Sequence, residues 1–322
     1  MNNILITSAG RRVSLVNFFK TELKKVFINA KIFTTDFNPQ FSSACQVADG
    51  FFKVGKVTNK NYVQELLQVC IENQIKLIIP TIDTELLVLS KNIKIFKDKN
   101  IEIVISDFET VSIFRDKRLT HEFFNKHKIN SAKEFSKTNY VLPIFIKPFD
   151  GSRSVDNYVI LNKEQFTDFH FENDKLMFLE YLDHSNHTEF TIDLYYDKQS
   201  NLKCLVPRQR LEIRDGEVNK AITKLENFNA EIWKKLNFVA GFRGCITLQI
   251  FVNNNTNAVY GIEINPRFGG GFPLSYLAGA NFVKWIIEEY LLNKSIEIFQ
   301  DWEKNLLMLR YDDEVLVRNF KL

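Results

Sequence analysis

Cysteine is scarce in this sequence, and the cysteines that occur are far apart. The 322 residues include four of them: Cys45, Cys70, Cys204 and Cys245. No two form a C-x-x-C pair, so the pattern indicates neither a thiol metal site nor a redox motif. We interpret all four as buried, reduced thiols.

A large excess of charge of one sign is also missing. The chain has 42 Lys and Arg against 39 Asp and Glu, a net charge of +3 at pH 7, and no long basic stripe. Proteins that bind nucleic acid usually concentrate positive charge on one face. The balance therefore argues against nucleic acid as the main partner.

Long apolar runs and a secretory leader are missing as well. Met1 to Asn3 leads directly into the apolar pattern Ile4 to Ile6, with no basic segment before it. No apolar run approaches the ~20 residues that a membrane helix needs. We therefore expect no membrane partner and a cytoplasmic location.

The first 112 residues alternate between strand and helix patterns. Strands are predicted at 3–7, 30–35, 75–80 and 101–105, and helices at 13–25, 62–72 and from 83 onward. This order predicts an open, mostly parallel sheet whose ligand crevice lies at the carboxyl ends of its strands. The first such loop has one glycine, Gly10, whereas the dinucleotide fingerprint G-x-G-x-x-G needs three, so a nicotinamide cofactor is not expected.

Two strand patterns between Gly244 and Asn265 predict a hairpin with a polar face. A turn at 254–258 would pair Gln249 with Glu263 and residue 247 with Asn265. Gln249, Glu263 and Asn265 then present oxygen atoms on one face, and magnesium prefers oxygen ligands. The simpler interpretation is a polar face that meets only water.

The residues that follow the hairpin carry a resemblance to a known family. Glu263-Ile264-Asn265-Pro266-Arg267 and the three glycines after Phe268 resemble the metal-binding signature of the ATP-grasp superfamily, most closely that of carbamoyl-phosphate synthase large subunits. The resemblance implies an α/β fold in which an N-terminal open parallel sheet precedes a two-part ATP-grasp fold. We place the N-terminal domain at 1–112, the ATP-grasp lid at 113–183 and the large subdomain at 184–322.

The resemblance also implies a nucleotide site, built from cations for the phosphates, a small-residue loop and a hinge strand. The residues that match this order are Lys117, Lys147, Gly151, Ser152, Ser154, Glu180, Tyr181, Leu182 and Glu189. The expected cofactors are ATP and Mg²⁺, with Mn²⁺ as an alternative metal. His184 and His187 lie nearby in a polar loop; without a third His or a Cys we interpret them as loop residues, with substrate contact left open.

Three arginines are candidates for catalysis. Arg208 and Arg210 occupy alternate positions on one strand face, and Arg267 follows the metal ligands. Guanidinium groups bind carboxylates and acyl phosphates through paired hydrogen bonds. Expected substrate contacts lie in the crevice and the glycine segment: Gly10, Arg11, Asp83, Glu85, Gly269 and Gly270. Helix capping by Asp83 and a solvated strand edge at the arginines are the simpler alternatives.

The resemblance implies an ATP-dependent carboxylate–amine or carboxylate–thiol ligase that forms an acyl phosphate. Its partners would be a small carboxylate and an amine, such as amino acids or amino sugars, and we allow for a homodimer. One alternative is a carboxy-phosphate-forming enzyme that uses bicarbonate and would need a small, closed acceptor site. An ATP-binding regulatory protein without turnover is the alternative from another class.

Overall fold

The computed structural model describes residues 2–151, 155–214 and 216–320, so the predicted ligands Ser152 and Ser154 lie outside the described residues. The N-terminal part contains a five-stranded parallel sheet in the order β3-β2-β1-β4-β5. Its strands are β1 (Asn3–Ile6), β2 (Ile32–Asp36), β3 (Gly50–Lys53), β4 (Ile75–Ile79) and β5 (Glu102–Ile103). The predicted open parallel sheet is confirmed.

Six helices accompany this sheet: α1 (Val13–Val26), α2 (Ser43–Val47), α3 (Tyr62–Glu72), α4 (Asp83–Lys91), α5 (Ile93–Lys97) and α6 (Phe108–Arg115). α1 buries Leu15, Val16, Phe19 and Leu23, the 3.6-residue pattern that favours an amphipathic helix. β1 is buried along its whole length, as expected for a parallel strand covered on both faces. β3 was not predicted, because its alternating exposed and half-buried residues follow no clear apolar pattern.

The largest sheet has seven strands in the order β16-β13-β12-β11-β14-β15-β6. Its members are β6 (Asn130–Ser131), β11 (His187–Tyr196), β12 (Leu202–Arg214), β13 (Glu217–Thr223), β14 (Gly244–Asn253), β15 (Val259–Asn265) and β16 (Leu307–Leu309). β14 and β15 form the predicted hairpin, with Gln249 opposite Glu263 and Thr247 opposite Asn265. That predicted register is confirmed.

A four-stranded sheet in the order β7-β10-β8-β9 lies within the predicted lid, and we call it the lid sheet. It contains β7 (Glu134–Phe135), β8 (Ile144–Pro148), β9 (Tyr158–Ile160) and β10 (Leu176–Glu180), with the short helix α8 (Asp168–Glu172) before the last strand. Helix α7 (Lys117–Lys126) and β6 precede the lid in the chain.

Helix α7, which the predicted lid of 113–183 includes, packs on β15 and β6 of the large sheet, and its first turn contacts the segment after β8. Phe124 of this helix is fully buried in the core of the large sheet and lies against Gly261 of β15, where a Cβ atom would collide with its ring. β6 then pairs with β15. The lid sheet itself therefore begins at Glu134.

Three further helices complete the large part: α9 (Phe228–Leu236), α10 (Phe272–Leu277) and α11 (Phe282–Leu291). Apolar side chains of α10, α11 and α1 form one core that joins the N-terminal sheet to the large sheet, whereas those of α9 pack in a second core on the large sheet. Phe268 lies edge-on against Phe19 and Phe272, with ring centroids 6.1 and 4.6 Å apart. Burial of Phe268 fixes the chain directly after Arg267.

All four cysteines are buried and free of disulfides, as the sequence predicts. Burial raises the pKa of the Cys70 thiol to about 12, so this thiol stays protonated at neutral pH. In the described ranges, no helix is both long enough and apolar enough to cross a membrane.

Candidate active site

The three predicted metal ligands lie together on the polar face of the β14–β15 hairpin. Asn265 Nδ2 donates to Glu263 Oε1 at 2.9 Å, and the Gln249 amide donates to the Glu189 carboxylate of the neighbouring strand β11. Each amide nitrogen is thus turned toward a carboxylate. The face therefore offers carboxylate and amide oxygens, a donor set that fits magnesium bound together with phosphate and water.

The protein supplies few ligands in this donor set. Over residues 2–151, 155–214 and 216–320, no group of three or more His, Cys, Asp or Glu side chains could hold a metal ion. A magnesium ion in phosphate-transferring enzymes typically takes one or two carboxylates and keeps waters and substrate phosphates for its other positions. Glu263 with the amide oxygens of Gln249 and Asn265 matches that kind of site.

Two lysines face this hairpin from α7 and β8. Burial, followed by the nearby charge of Lys117, lowers the pKa of Lys147 to about 8, while Glu263 acts in the opposite direction. Burial also lowers the pKa of Lys117, again opposed by Glu263. The two predicted phosphate ligands therefore lie near each other and near the predicted metal ligand, where bound phosphate would stabilise both cations.

His121 belongs to the same cluster and was missed by the sequence analysis. It lies one turn after Lys117 on α7 and is buried. Burial, followed by the charges of Lys147 and Lys117, lowers the pKa of His121 to about 4. The i, i+4 spacing from Lys117 was the available signal, but nothing in the sequence placed Lys147 beside that helix face.

The lowered pKa of Lys147 predicts a pH-dependent affinity for nucleotide. Below about pH 8 the ammonium is already charged, whereas above it binding must include uptake of a proton. The affinity for MgADP should therefore fall as the pH rises through 8, by up to about tenfold per pH unit. Calorimetry between pH 7 and 9.5 checks this. Lys147→Arg keeps its charge throughout and should flatten the profile; an identical profile in both proteins would contradict the assignment.

Glu189 and Arg210 form an ion pair at one end of the polar face. Arg210 Nη1 lies 2.8 Å from Glu189 Oε1, and both side chains are largely buried. They line a cavity of about 330 Å³ together with His184 and His187. His184 lies in the loop as predicted, whereas His187 is the first residue of β11, opposite Asn253 of β14. The His187 ring contacts the Asp183 carbonyl and the Asn253 side chain.

Arg208 is held inside the protein, contrary to its predicted contact with substrate. It is 1% exposed, and its Nε and Nη2 bind both oxygens of Asp193 at 2.8 and 3.0 Å. Ser275 Oγ donates to the same carboxylate at 2.6 Å. Asp193 thus binds one side of the guanidinium, whereas the buried Nη1 has no hydrogen-bond partner and lies against Gly271, where a Cβ would collide with it. Arg208 therefore supports the glycine segment.

Arg267 is bound by the N-terminal domain. Its Nε and Nη2 donate to Asp83 Oδ1 and Oδ2 at 3.0 and 2.7 Å, and its Nη1 donates to the Phe268 carbonyl. Burial disfavours the Arg267 cation, but the Asp83 carboxylate keeps its pKa above the ordinary value. Two residues predicted separately, one as catalytic and one as substrate-binding, thus form a single bridge between domains.

Glu85 lies inside the N-terminal domain and not on the crevice surface, which corrects its predicted substrate contact. It is fully buried, accepts a hydrogen bond from Thr7 Oγ1 at 2.9 Å and contacts the Tyr62 hydroxyl. Burial raises the pKa of Glu85 to about 7. Its position behind the wall follows from α4, which turns Asp83 outward and Glu85 inward.

The predicted crevice exists as a cavity of about 1480 Å³, which we call the large cavity. Its walls come from the loops after β1, β2 and β4, from the glycine segment and from residues 308–315. Gly10, Gly269 and Gly270 line it, as does the exposed Arg11. The Gly10 N–H donates to Asp36 Oδ2 at 3.1 Å, which fixes the first loop at the cavity wall.

The predicted hinge lies at the end of β10. The Glu180 N–H donates to the Lys133 carbonyl at 2.8 Å, and its side chain is exposed. Tyr181 and Leu182 follow as half-buried residues. Gly151 is in contact with the lysine cluster, since its carbonyl accepts from Lys117 Nζ at 2.5 Å. Contacts of the hinge residues and Gly151 with nucleotide remain predictions.

Two family models match separate parts of the chain. The model described as the N-terminal domain of PylC-like proteins matches residues 4–104, and the model described as ATP-grasp in the biosynthetic pathway with Ter operon matches residues 172–311. The second match contains the whole hairpin and Arg267. Residues 172–311 thus belong to the ATP-grasp superfamily.

Solved structures of ATP-grasp proteins share this fold. Biotin carboxylase from Campylobacter jejuni aligns with a TM-score of 0.71 at 14% identity, over 95% of this chain and 74% of that one. N5-carboxyaminoimidazole synthetase from Staphylococcus aureus, solved with ADP, aligns with a TM-score of 0.70 at 17% identity, over 96% and 80%. A search of curated protein sequences gave no match.

A third ATP-grasp structure was solved with a metal–nucleotide complex. It is the biotin carboxylase domain of the Hydrogenobacter thermophilus 2-oxoglutarate carboxylase with MgADP and bicarbonate, with a TM-score of 0.70 at 14% identity over 94% of this chain and 73% of that one. The predicted superfamily and fold are thus confirmed, and together they support an ATP-dependent ligase.

Proposed function

We propose that this ATP-grasp protein joins a carboxylate to an amine by way of an acyl phosphate, acting on small metabolites such as amino acids or amino sugars. A thiol could replace the amine in the same chemistry. The observation that carries the proposal is the position of Arg267, which follows the polar hairpin, is held by Asp83 and directly precedes Phe268 and Gly269 in the lining of the large cavity. Arg267 thus connects the polar face proposed to bind phosphate with the cavity proposed to bind substrate.

The large cavity argues for an organic acceptor. Its volume of about 1480 Å³ exceeds the ~300–1,000 Å³ that small-molecule sites usually occupy. Bicarbonate has four non-hydrogen atoms and would need a small, closed site. The carboxy-phosphate alternative therefore has less support, even though one structural relative was solved with bicarbonate, because similarity at low identity shows the fold alone.

The first chemical step would move the γ-phosphoryl group of ATP to a carboxylate oxygen, which forms the acyl phosphate and ADP. When bound, magnesium neutralises phosphate charge at Glu263, Gln249 and Asn265. Lys117 and Lys147 would hold phosphate oxygens, and Arg267 would stabilise the charge that develops on the transferring group. Positioning and electrostatics supply most of the catalysis in such transfers, so no nucleophilic side chain is required.

The second step would be attack of the amine lone pair on the acyl carbon. The carbon–oxygen bond to phosphate breaks, inorganic phosphate leaves, and the amine loses one proton as the amide forms. Donors near the tetrahedral oxygen stabilise it. The candidates are the backbone N–H groups of Gly269 and Gly270, which line the large cavity, and Arg267, which precedes this segment in the chain.

Phosphate release across a panel of substrates tests the proposal. Pairs of amino acids, dicarboxylates and amino sugars are incubated with MgATP, and products are identified by mass spectrometry. Release that depends on two organic substrates, with an amide product, is expected; Glu263→Gln should abolish it while the protein stays folded. Dependence on bicarbonate would instead support the carboxy-phosphate alternative, and ADP formation without any second substrate would contradict a ligase.

A further inference from the structure

Arg12 is a cation in the wall of the large cavity that the sequence analysis passed over in favour of its neighbour Arg11. Arg11 is exposed, whereas the Arg12 side chain is partly buried and donates from Nη2 to the Thr81 carbonyl at 3.0 Å. Both residues line the cavity. The Thr81 bond anchors the Arg12 guanidinium at the inner wall.

Among the described ion pairs within 4.0 Å, Arg12 has no carboxylate partner. The nearby acids are engaged elsewhere: Asp83 binds Arg267 through both oxygens, and Glu217 binds Arg310 at 3.2 Å. Burial, followed by the like charge of Arg267, lowers the pKa of Arg12 to about 10, although Glu217 and Asp83 oppose this. Arg12 still carries its positive charge at neutral pH, so an added anion would relieve the repulsion between two guanidinium groups.

Arg12 lines the large cavity, whereas Gln249, Glu263 and Asn265 are not among the lining residues described for it. An anion at Arg12 would therefore lie in the cavity and not at the predicted phosphate position. The cavity walls beyond it include the apolar side chains of Phe37, Val57 and Leu277.

We propose that Arg12 binds the free carboxylate of the amine substrate, so that this substrate is an amino acid or another amine that carries a carboxylate. The inference rests on the proposed ligase function and narrows its second substrate. A guanidinium fork suits a carboxylate because two parallel N–H donors match its two oxygens. The activated carboxylate, in contrast, belongs beside Arg267 and the phosphates.

The test compares amino acids with the matching amino acid amides as amine substrates, for the intact protein, Arg12→Met and Arg12→Lys. The intact protein should prefer the acid over the amide by roughly 10- to 100-fold in kcat/KM, the usual strength of a hydrogen bond to a charged group. In Arg12→Met, kcat/KM for the amino acid should fall to the value for the amide, so that the preference is lost. In Arg12→Lys, the preference should lie between those of Arg12→Met and the intact protein. Arg318→Met changes an exposed arginine in the C-terminal segment and should retain the full preference.

A second measurement separates this inference from the proposed function. Hydroxylamine traps an acyl phosphate as a hydroxamate without any amine substrate, so Arg12→Met should form hydroxamate at nearly the rate of the intact protein and bind MgADP within a few-fold. An unchanged preference for the acid in Arg12→Met, or equal use of acid and amide by the intact protein, would overturn the inference alone. Absence of hydroxamate and of amide product in the intact protein would overturn the ligase function, and the role of Arg12 with it.

Discussion

Replacing Arg267 with methionine should slow product formation about 100-fold while leaving the affinity for MgADP within a few-fold. Arg267 follows the β14–β15 hairpin and is held by Asp83 from the N-terminal domain. Removing one donor aimed at developing negative charge costs on the order of 3 kcal/mol of transition-state stabilisation. The methionine retains much of the side-chain volume, so the loss reports charge and hydrogen bonding.

The effect of Arg267→Met is measured by product formation under saturating MgATP and by calorimetry with MgADP. Asp83→Asn provides a graded comparison, because it leaves the guanidinium in place and weakens only its support; we expect a smaller loss of rate. Arg318→Met is the control for a general loss of positive charge. An unchanged rate in Arg267→Met would mean that Arg267 takes no part in the chemical step. A loss of affinity for MgADP as large as the loss of rate would mean that Arg267 binds the nucleotide.

Replacing Asp193 with asparagine should destabilise the fold by about 3–5 kcal/mol, because it leaves the buried Arg208 cation without a counter-charge. The pair is almost completely inaccessible to water, at 1% and 0% exposure. Ser275 binds the same carboxylate, so the change also loosens α10, which follows the glycine segment. Chemical denaturation followed by fluorescence measures the free energy of unfolding.

A matched double variant separates charge burial from packing. Asp193→Leu combined with Arg208→Met removes both charges and should be less destabilising than Asp193→Asn alone, since a well-packed apolar pair avoids the cost of desolvation. Glu212→Gln removes one partner of an exposed pair with Lys220 and should change stability little. A small effect of Asp193→Asn would mean that water reaches Arg208.

Much of the fold could be predicted because its signals are local. The alternation of polar and apolar residues in β14 and β15 fixed both the face that carries Glu263 and the strand register, since a shift by one residue would bury the polar face. The edge strand β3 was missed because neither of its faces is uniformly apolar. Helix α7 was assigned to the lid because its packing partner, Gly261, is more than a hundred residues away.

For the site, the sequence could predict which face of a strand each residue occupies, but not which residue it contacts. Alternation placed Arg208 and Arg210 on one face, but it could not reveal that Asp193 occupies the Arg208 fork whereas Glu189 pairs with Arg210. Arg11 and Arg12 are equivalent in the sequence, and only the loop conformation distinguishes the exposed residue from the anchored one. Such pairings depend on tertiary contacts that no local pattern encodes.

Transfer of oxygen-18 from a labelled carboxylate substrate to inorganic phosphate tests acyl-phosphate formation most directly. In that mechanism the carboxylate oxygen attacks the γ-phosphorus and leaves with the phosphate when the amine attacks the acyl carbon. With both carboxylate oxygens labelled, we expect mass spectrometry to find one labelled oxygen in each phosphate released with product. Amide formation accompanied by unlabelled phosphate would contradict activation of the carboxylate by phosphoryl transfer.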